Sequence, residues 1–270
     1  MVDPNLQVIA FTRSVPPSII NCELTHLQRQ PIDFERAAEQ HQLYEKALIK
    51  AGCTIHRLPS LPDLPDSVFV EDTAVVLREL AIITRPGAES RRSEVTSVAE
   101  ALRPHHSLAF IESPGTLDGG DVLTIGSTIY VGESTRTNAE GIRQLAKLAS
   151  QFGYRVRSVK VSGCLHLKSA VTRVAEDVIL LNSAWVDSSL FPDLRQIEVH
   201  RHEPFAANAL LIGDRVIYSA SHDQTRQRLE QNGIDVLVVE TDELEKAEGA
   251  VTCCSIVIGG SYADSIRSSA

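Results

Sequence analysis

Residues Phe69 to Gly87 read FVEDTAVVLRELAIITRPG. Two short apolar runs, TAVVL and LAIIT, flank the polar pair Arg78-Glu79, the pattern of a strand, a tight turn and a second strand. The stretch that follows, SRRSEVTSVAEALR, carries apolar residues at helical spacing. The unit therefore reads strand, turn, strand, helix, strand.

The same unit recurs along the chain. GGDVLTIG, a turn at ST, then IYVGES leads into TRTNAEGIRQLAKLASQFG, and NALLIGDRVIYSAS, turning at GD, leads into HDQTRQRLEQNG. Between them LHLKSAVTRVAEDVILLN runs into a helical or irregular stretch around SAWVDSSLFPDLRQI. Corresponding polar residues in the first strand of each unit, Asp72, Asp121, Lys168, Asn208 and Cys253, are 49, 47, 40 and 45 residues apart. A steady period of this size suggests a radial or solenoid architecture. The last unit, CCSIVIG, has its partner strand in QVIAFTRS at the other end of the chain, followed by the helix FERAAEQHQLYEKALIKAG. A final strand that needs the first implies a closed ring, because closure removes exposed sheet edges. The expected fold is α/β, a five-bladed α/β propeller of repeated ββαβ units with pseudo-five-fold symmetry. An open α/β sheet with hairpins is the alternative. No Pro/Gly/Ser-rich linker divides the chain, so residues 1–270 read as a single domain, with the tail from about 260 poorly ordered.

A charged share of 23% and a mean hydropathy of −0.04 describe an ordinary soluble protein. The net charge of −9 argues against a nucleic-acid partner. No signal peptide or long apolar run is present, so secretion and a membrane partner are not expected. The five cysteines, Cys22, Cys53, Cys164, Cys253 and Cys254, are odd in number and lack CxxC spacing. A disulfide scaffold or structural zinc site is thus disfavoured and a reducing cytoplasm fits. Oligomeric state, a homodimer included, is left open by the sequence.

If each first strand runs towards the ring axis, Glu71, Asp72, Asp118, Asp121, His166 and Cys253 face one central cavity. A thiol, an imidazole and carboxylates are the parts of a thiol-based nucleophilic site. The bland readings stand beside this one. A buried cysteine is most often a small hydrophobe, and Cys254, on the opposite strand face, fits core packing. His200 and His202 in VHRHEP invite a metal reading, but no further ligands cluster near them in sequence.

The segments LPDSVFVEDTAVV, TLDGGDV, YVGESTRTN, LHLKS and ELEKAEGAVTCCS together resemble the dimethylarginine dimethylaminohydrolases, members of the guanidine-modifying pentein superfamily. The match extends from ERAAEQHQLYEKAL to the CCS segment. The resemblance implies a catalytic propeller domain that needs no cofactor. It would hydrolyse Nω-methylated arginine, a small-molecule substrate, to citrulline and a methylamine through a covalent cysteine thiouronium. Carried over by position, Cys253 would be the nucleophile, His166 the general acid/base and Asp118 its orienting carboxylate. Asp66, Glu71 and Asp72 would hold the cationic groups of the substrate, and Arg91 and Arg136 its α-carboxylate. Leu24 and the backbone of Ala247 would be minor contacts. Thiol and imidazole at Cys253 and His166 would also capture zinc as an inhibitor. An arginine deiminase on the same fold is the rival, although its H-x-D motif is here His166-Leu167-Lys168. A non-catalytic binding protein of this fold is the alternative from another class.

Overall fold

The computed structural model describes residues 7–259. In chain order, β1 (Val8–Thr12) is followed by α1 (Phe34–Lys50) and β2 (Cys53–Arg57). Next come β3 (Ala74–Val76), β4 (Leu80–Ile83), α2 (Val95–Leu102) and β5 (Ser107–Phe110). The third group is β6 (Val122–Ile125), β7 (Thr128–Glu133), α3 (Ala139–Ser150) and β8 (Arg155–Lys160). A one-turn helix α4 (Leu167–Ala170) leads into β9 (Val171–Ala175), β10 (Val178–Leu181) and β11 (Arg195–Glu198). The chain finishes with β12 (Leu210–Ile212), β13 (Arg215–Ser219), α5 (Asp223–Gln231), β14 (Asp235–Val239), α6 (Asp242–Glu245) and β15 (Ile256–Ile258).

These strands form five three-stranded sheets of one design. A hairpin pairs the first two strands antiparallel, and the crossover returns the third strand parallel to the second. Two of the hairpins turn on Gly126 and Gly213, whose φ of +56° and +60° suit a two-residue turn that a side chain would strain. The helices start where the sequence provides a cap. Asp33 accepts from the amide of Arg36 ahead of α1, and Asn138 from that of Gly141 ahead of α3. In the fourth unit a 3₁₀ turn at Ser188–Leu190 replaces the crossover helix.

The ring closes as the sequence requires. β15 is the hairpin partner of β1, with Ile9 opposite Ile258 and Phe11 opposite Ile256. Five apolar clusters fill the gaps between neighbouring sheets in turn. Phe11, Ile256 and Ile258 meet Ala81, Ile83 and Leu102. Val75 and Ile82 meet Ile129 and Leu145, and Leu123 and Tyr130 meet Ile179 and Leu181. Val178 and Leu180 meet Val216 and Tyr218, and Ile212 and Ile217 return to Ala10 and Leu48. Each sheet thus buries both faces against two neighbours, which is why β4 and β10 are apolar at every position. The arrangement is the expected five-bladed α/β propeller.

One expectation changes. The polar residues at the head of each unit are not in the first strand but on the turn before it. Glu71 and Asp72 lie in a 3₁₀ turn, Val70–Thr73, Asp121 ends another at Gly119–Asp121, and Lys168 is in α4. Cys253 and Cys254 lie in a turn ahead of β15, closed by the Cys253 amide donating to the Ala250 carbonyl. The β1–β15 ladder stops at Phe11 and Ile256, so the cysteines have no strand to pair with. The tail from about 260 lies outside the described residues. Among those described, no helix is long and apolar enough to cross a membrane.

Candidate active site

At the heads of the units the tight turns converge, and their side chains meet. His166 immediately precedes α4, and its Nε2 lies 3.1 Å from Asp118 Oδ2 while Nδ1 lies 3.9 Å from Asp72 Oδ1. Asp118 is fully buried and also accepts from the Gly87 amide at 2.8 Å. Asp72 accepts from the Gly120 amide through Oδ1 at 3.0 Å and from Arg91 Nη1 through Oδ2 at 2.6 Å. The paired glycines of LDGGD make this approach feasible. A Cβ on Gly119 would stand 2.0 Å from the Glu71 carbonyl oxygen, and one on Gly120 would stand 2.7 Å from His166 Nδ1. Asp121 is committed elsewhere: one oxygen takes the Leu167 amide at 3.0 Å and the other the Ser134 hydroxyl at 2.6 Å. It anchors the start of α4, and with it His166.

A narrow cavity opens onto this cluster. Its wall includes Cys253, His166, Asp72, Asp66, Arg91, Arg136 and Ala247. Asp118 stands behind His166 rather than on the wall. Glu71 is turned away, with Oε1 2.6 Å from Lys168 Nζ and Oε2 accepting from the Thr252 hydroxyl at 2.7 Å. Its backbone amide donates to the Cys253 carbonyl at 3.1 Å, which fixes the turn carrying the thiol. Leu24 is packed against the core beneath α1. Cys254 is 1% exposed within that core, in keeping with a packing role.

The arginines divide. Arg91 is buried with its fork committed: Nε and Nη2 hold Glu94, Nη1 holds Asp72, and Nη2 also donates to the carbonyls of Asp66 and Phe69. The matched pair of arginines expected to face a ligand is therefore unequal. Arg91 first of all positions Asp72, while Arg136 stands at the rim, its Nη2 3.3 Å from the Thr25 hydroxyl and 3.6 Å from Glu23.

The charges are strongly interdependent. Burial opposes charge on His166, but the Asp72 carboxylate, the Asp118 hydrogen bond and the charges of Asp121 and Asp118 outweigh it and raise the imidazole to about 9. Burial also opposes charge on Asp72, yet His166 and Arg91 bring it down to about 2. Asp66 is lifted by burial, despite Arg91, to about 6. Burial first, then Glu71 and Asp72, push the Cys253 thiol well above its ordinary value. The site thus pairs an imidazolium with a protonated thiol.

Asp72, Asp118 and His166 each offer a ligand atom within 4.8 Å of the others, the one such group among the described residues. His200 and His202 stack edge-on, 5.1 Å between ring centres, and take no part in it. A roomier cavity of about 330 Å³ lies beyond Leu165 and Glu248. The thiol facing it, Cys164, is held by burial and then Asp121 at about 12.

Two acidic wall residues are not singled out by the sequence. Glu248, with a φ of +57°, accepts from the amides of Thr25, His26 and Leu27 at 3.0, 2.5 and 2.6 Å. Glu23 adjoins Leu24 on the same loop. Both lie outside the repeated strands, and only their adjacency to Leu24 and Ala247 marked them.

The family model described as N,N dimethylarginine dimethylhydrolase, eukaryotic, matches residues 23–258. The N(G),N(G)-dimethylarginine dimethylaminohydrolase of Streptomyces coelicolor is 43% identical over 249 residues, covering 92% of this chain and 95% of that protein. A solved structure from Pseudomonas aeruginosa, a cysteine-to-serine variant of the same enzyme complexed with citrulline, superposes with a TM-score of 0.89. It is 34% identical and covers 94% of this chain and 99% of that one. The N-terminal domain of ArgZ, a cyanobacterial arginine dihydrolase, shares the fold at a TM-score of 0.83 but only 17% identity, covering 93% and 97% of the two chains.

Proposed function

The chain belongs to the N,N-dimethylarginine dimethylhydrolase family, and from that premise we propose that its pocket hydrolyses Nω-methylated L-arginine to L-citrulline and a methylamine. The observation that carries this reading is the presence of Cys253, His166 and Asp72 on one cavity wall, with Asp118 2.8 Å from the Gly87 amide and 3.1 Å from the imidazole behind them.

The substrate head is a planar, permanently charged guanidinium, costly to bury without counter-charge. Asp72, already ionised, and Asp66 provide it. A guanidinium carbon is a poor electrophile and needs a thiolate. The arriving cation favours that form of Cys253 by offsetting the carboxylates that, after burial, hold the thiol protonated. The thiolate attacks, a C–S bond forms, and the imidazolium of His166 protonates the departing amine as the C–N bond breaks. The remaining S-alkylthiouronium is attacked by water, whose proton His166, now neutral, accepts. Collapse of that adduct releases citrulline and the thiol. Asp118 keeps the imidazole aimed, and Arg136 takes the α-carboxylate with Arg91 holding Asp72 in place. Lys168 occupies the position of the deiminase-type acid and points its ammonium at Glu71, so nothing there grips an unsubstituted nitrogen. Five free thiols suit a reducing cytoplasm as the setting.

Citrulline release from dimethylarginine and from arginine, measured side by side, tests the reading. Dimethylarginine should be strongly preferred. Cys253→Ser should abolish turnover yet bind dimethylarginine in a calorimeter, and Cys254→Ser should stay active. A dead Cys254→Ser beside a working Cys253→Ser would refute it.

A further inference from the structure

The rim of the pocket carries an ion pair that the reaction leaves unexplained. One carboxylate oxygen of Glu23 lies 3.6 Å from Arg136 Nη2, and the other accepts from the Ser90 hydroxyl. The Glu23 amide donates to both oxygens of Asp66, at 3.3 and 3.2 Å, so its backbone is fixed independently of its side chain. Both members of the pair line the cavity. The Glu23 side chain is 42% exposed and that of Arg136 only 10%. The carboxylate is therefore the partner free to leave, and the guanidinium the one that stays.

Arg91 has its donors engaged by Asp72, Glu94 and two carbonyls. Arg136 is thus the wall cation open to an incoming carboxylate, and Glu23 already occupies it. We propose that Glu23 is a built-in competitor: its γ-carboxylate holds, at Arg136, the place that the α-carboxylate of an amino-acid substrate takes. The substrate class comes from the function proposed above; the occupied arginine does not depend on it.

Binding is then an exchange of one carboxylate for another. The α-carboxylate gains only the difference between its own contact with Arg136 and the one it displaces. This lies in ground-state binding, away from the sulfur and the imidazole, so it appears in KM rather than kcat. A decarboxylated guanidine has no carboxylate to exchange and escapes the competition. Glu23 therefore narrows the margin by which the site prefers an amino acid over a bare alkylguanidine.

Glu23→Gln keeps the shape and the backbone amide while removing the charge, and Ser90→Ala loosens the glutamate without touching the pocket's charges. The kinetics of citrulline release and the calorimetric Kd for citrulline are compared in the wild type and both variants. Glu23→Gln should lower KM for dimethylarginine and Kd for citrulline by about two- to five-fold with kcat unchanged, the size expected of a half-exposed ion pair. Ser90→Ala should shift both in the same direction by less. KM for the decarboxylated analogue should not fall. Unchanged or raised KM and Kd in Glu23→Gln would overturn the proposal, the second by showing that Glu23 holds the substrate's ammonium. A wild type that binds citrulline but releases none from methylated arginine would refute the reaction alone, and the Kd comparison would still decide the exchange. Citrulline binding to none of the three proteins would overturn both.

Discussion

His166 is a compromise: a charged ring held where burial disfavours charge. Its value of about 9 against an ordinary 6.5 means that the folded chain binds this proton more tightly than the unfolded one. The stabilisation is present in full below about pH 6.5 and is lost as pH rises through about 9. Asp118→Asn takes away a charge-assisted partner and should bring the imidazole down. Thermal unfolding followed from about pH 6 to 10 should show the wild type losing Tm across this window and the variant losing less; superimposable curves would refute the assignment. Turnover should fall ~10²–10⁴-fold in the same variant, the usual cost of a misplaced proton carrier. Residues such as Cys253, His166 and Asp72 were legible in the sequence because each heads a repeated unit, so the period alone aims them at one axis. Arg91 also reaches the cavity wall, but no pattern in ESRRSE distinguishes an arginine that meets a ligand from one locked between Asp72 and Glu94. Glu23 and Glu248 escaped because their loops belong to no repeat.

At the level of elements, the tight turns matter more than the strands they precede. Reading Glu71, Asp72 and Cys253 as strand residues located them correctly along the chain, and Asp72 and Cys253 face the cavity as expected, whereas Glu71 does not. The 3₁₀ turn at Val70–Thr73 sends Asp72 to the pocket and Glu71 to Lys168 and Thr252. The alternation of apolar residues fixes strands and helices, but the direction of a turn depends on contacts from other units, such as the Gly120 amide on Asp72. Gly120→Ala tests this dependence. The added methyl would fall 2.7 Å from His166 Nδ1 and 2.8 Å from Asp72 Oδ1, forcing a shift that costs about 1–3 kcal/mol by overpacking. We expect kcat to drop by at least an order of magnitude while the far-ultraviolet circular dichroism stays that of the wild type. An unaltered kcat would show that the imidazole has more room than this geometry allows.

For the whole molecule, the five apolar clusters form a cycle, and the joint between β15 and β1 pairs, among the described strands, the neighbours most distant in sequence. The period and the orphan strand at CCSIVIG made the ring legible; SAWVDSSLFPDLRQI, which without clear helical spacing read as helical or irregular, forms a short 3₁₀ turn in place of the fourth crossover helix. Ala10, at the centre of β1 and fully buried, sits opposite Val257 on one side and Ile55 on the other. Ala10→Asp would bury a carboxylate without a partner and should cost several kcal/mol. Tm should fall sharply, and alkylation of Cys253 should accelerate below Tm as the joint opens. A Tm within a degree or two of the wild type would mean that closure contributes little.

That joint also sets an order of events during synthesis. Until the ribosome has released β15, the emerging polypeptide holds a β1 edge without its neighbour. The turn bearing Cys253 immediately precedes β15, so sulfur and imidazole can be brought together only after every strand from β1 to β14 has been made. A prematurely terminated product would leave the ribosome with an adhesive edge and no chemistry.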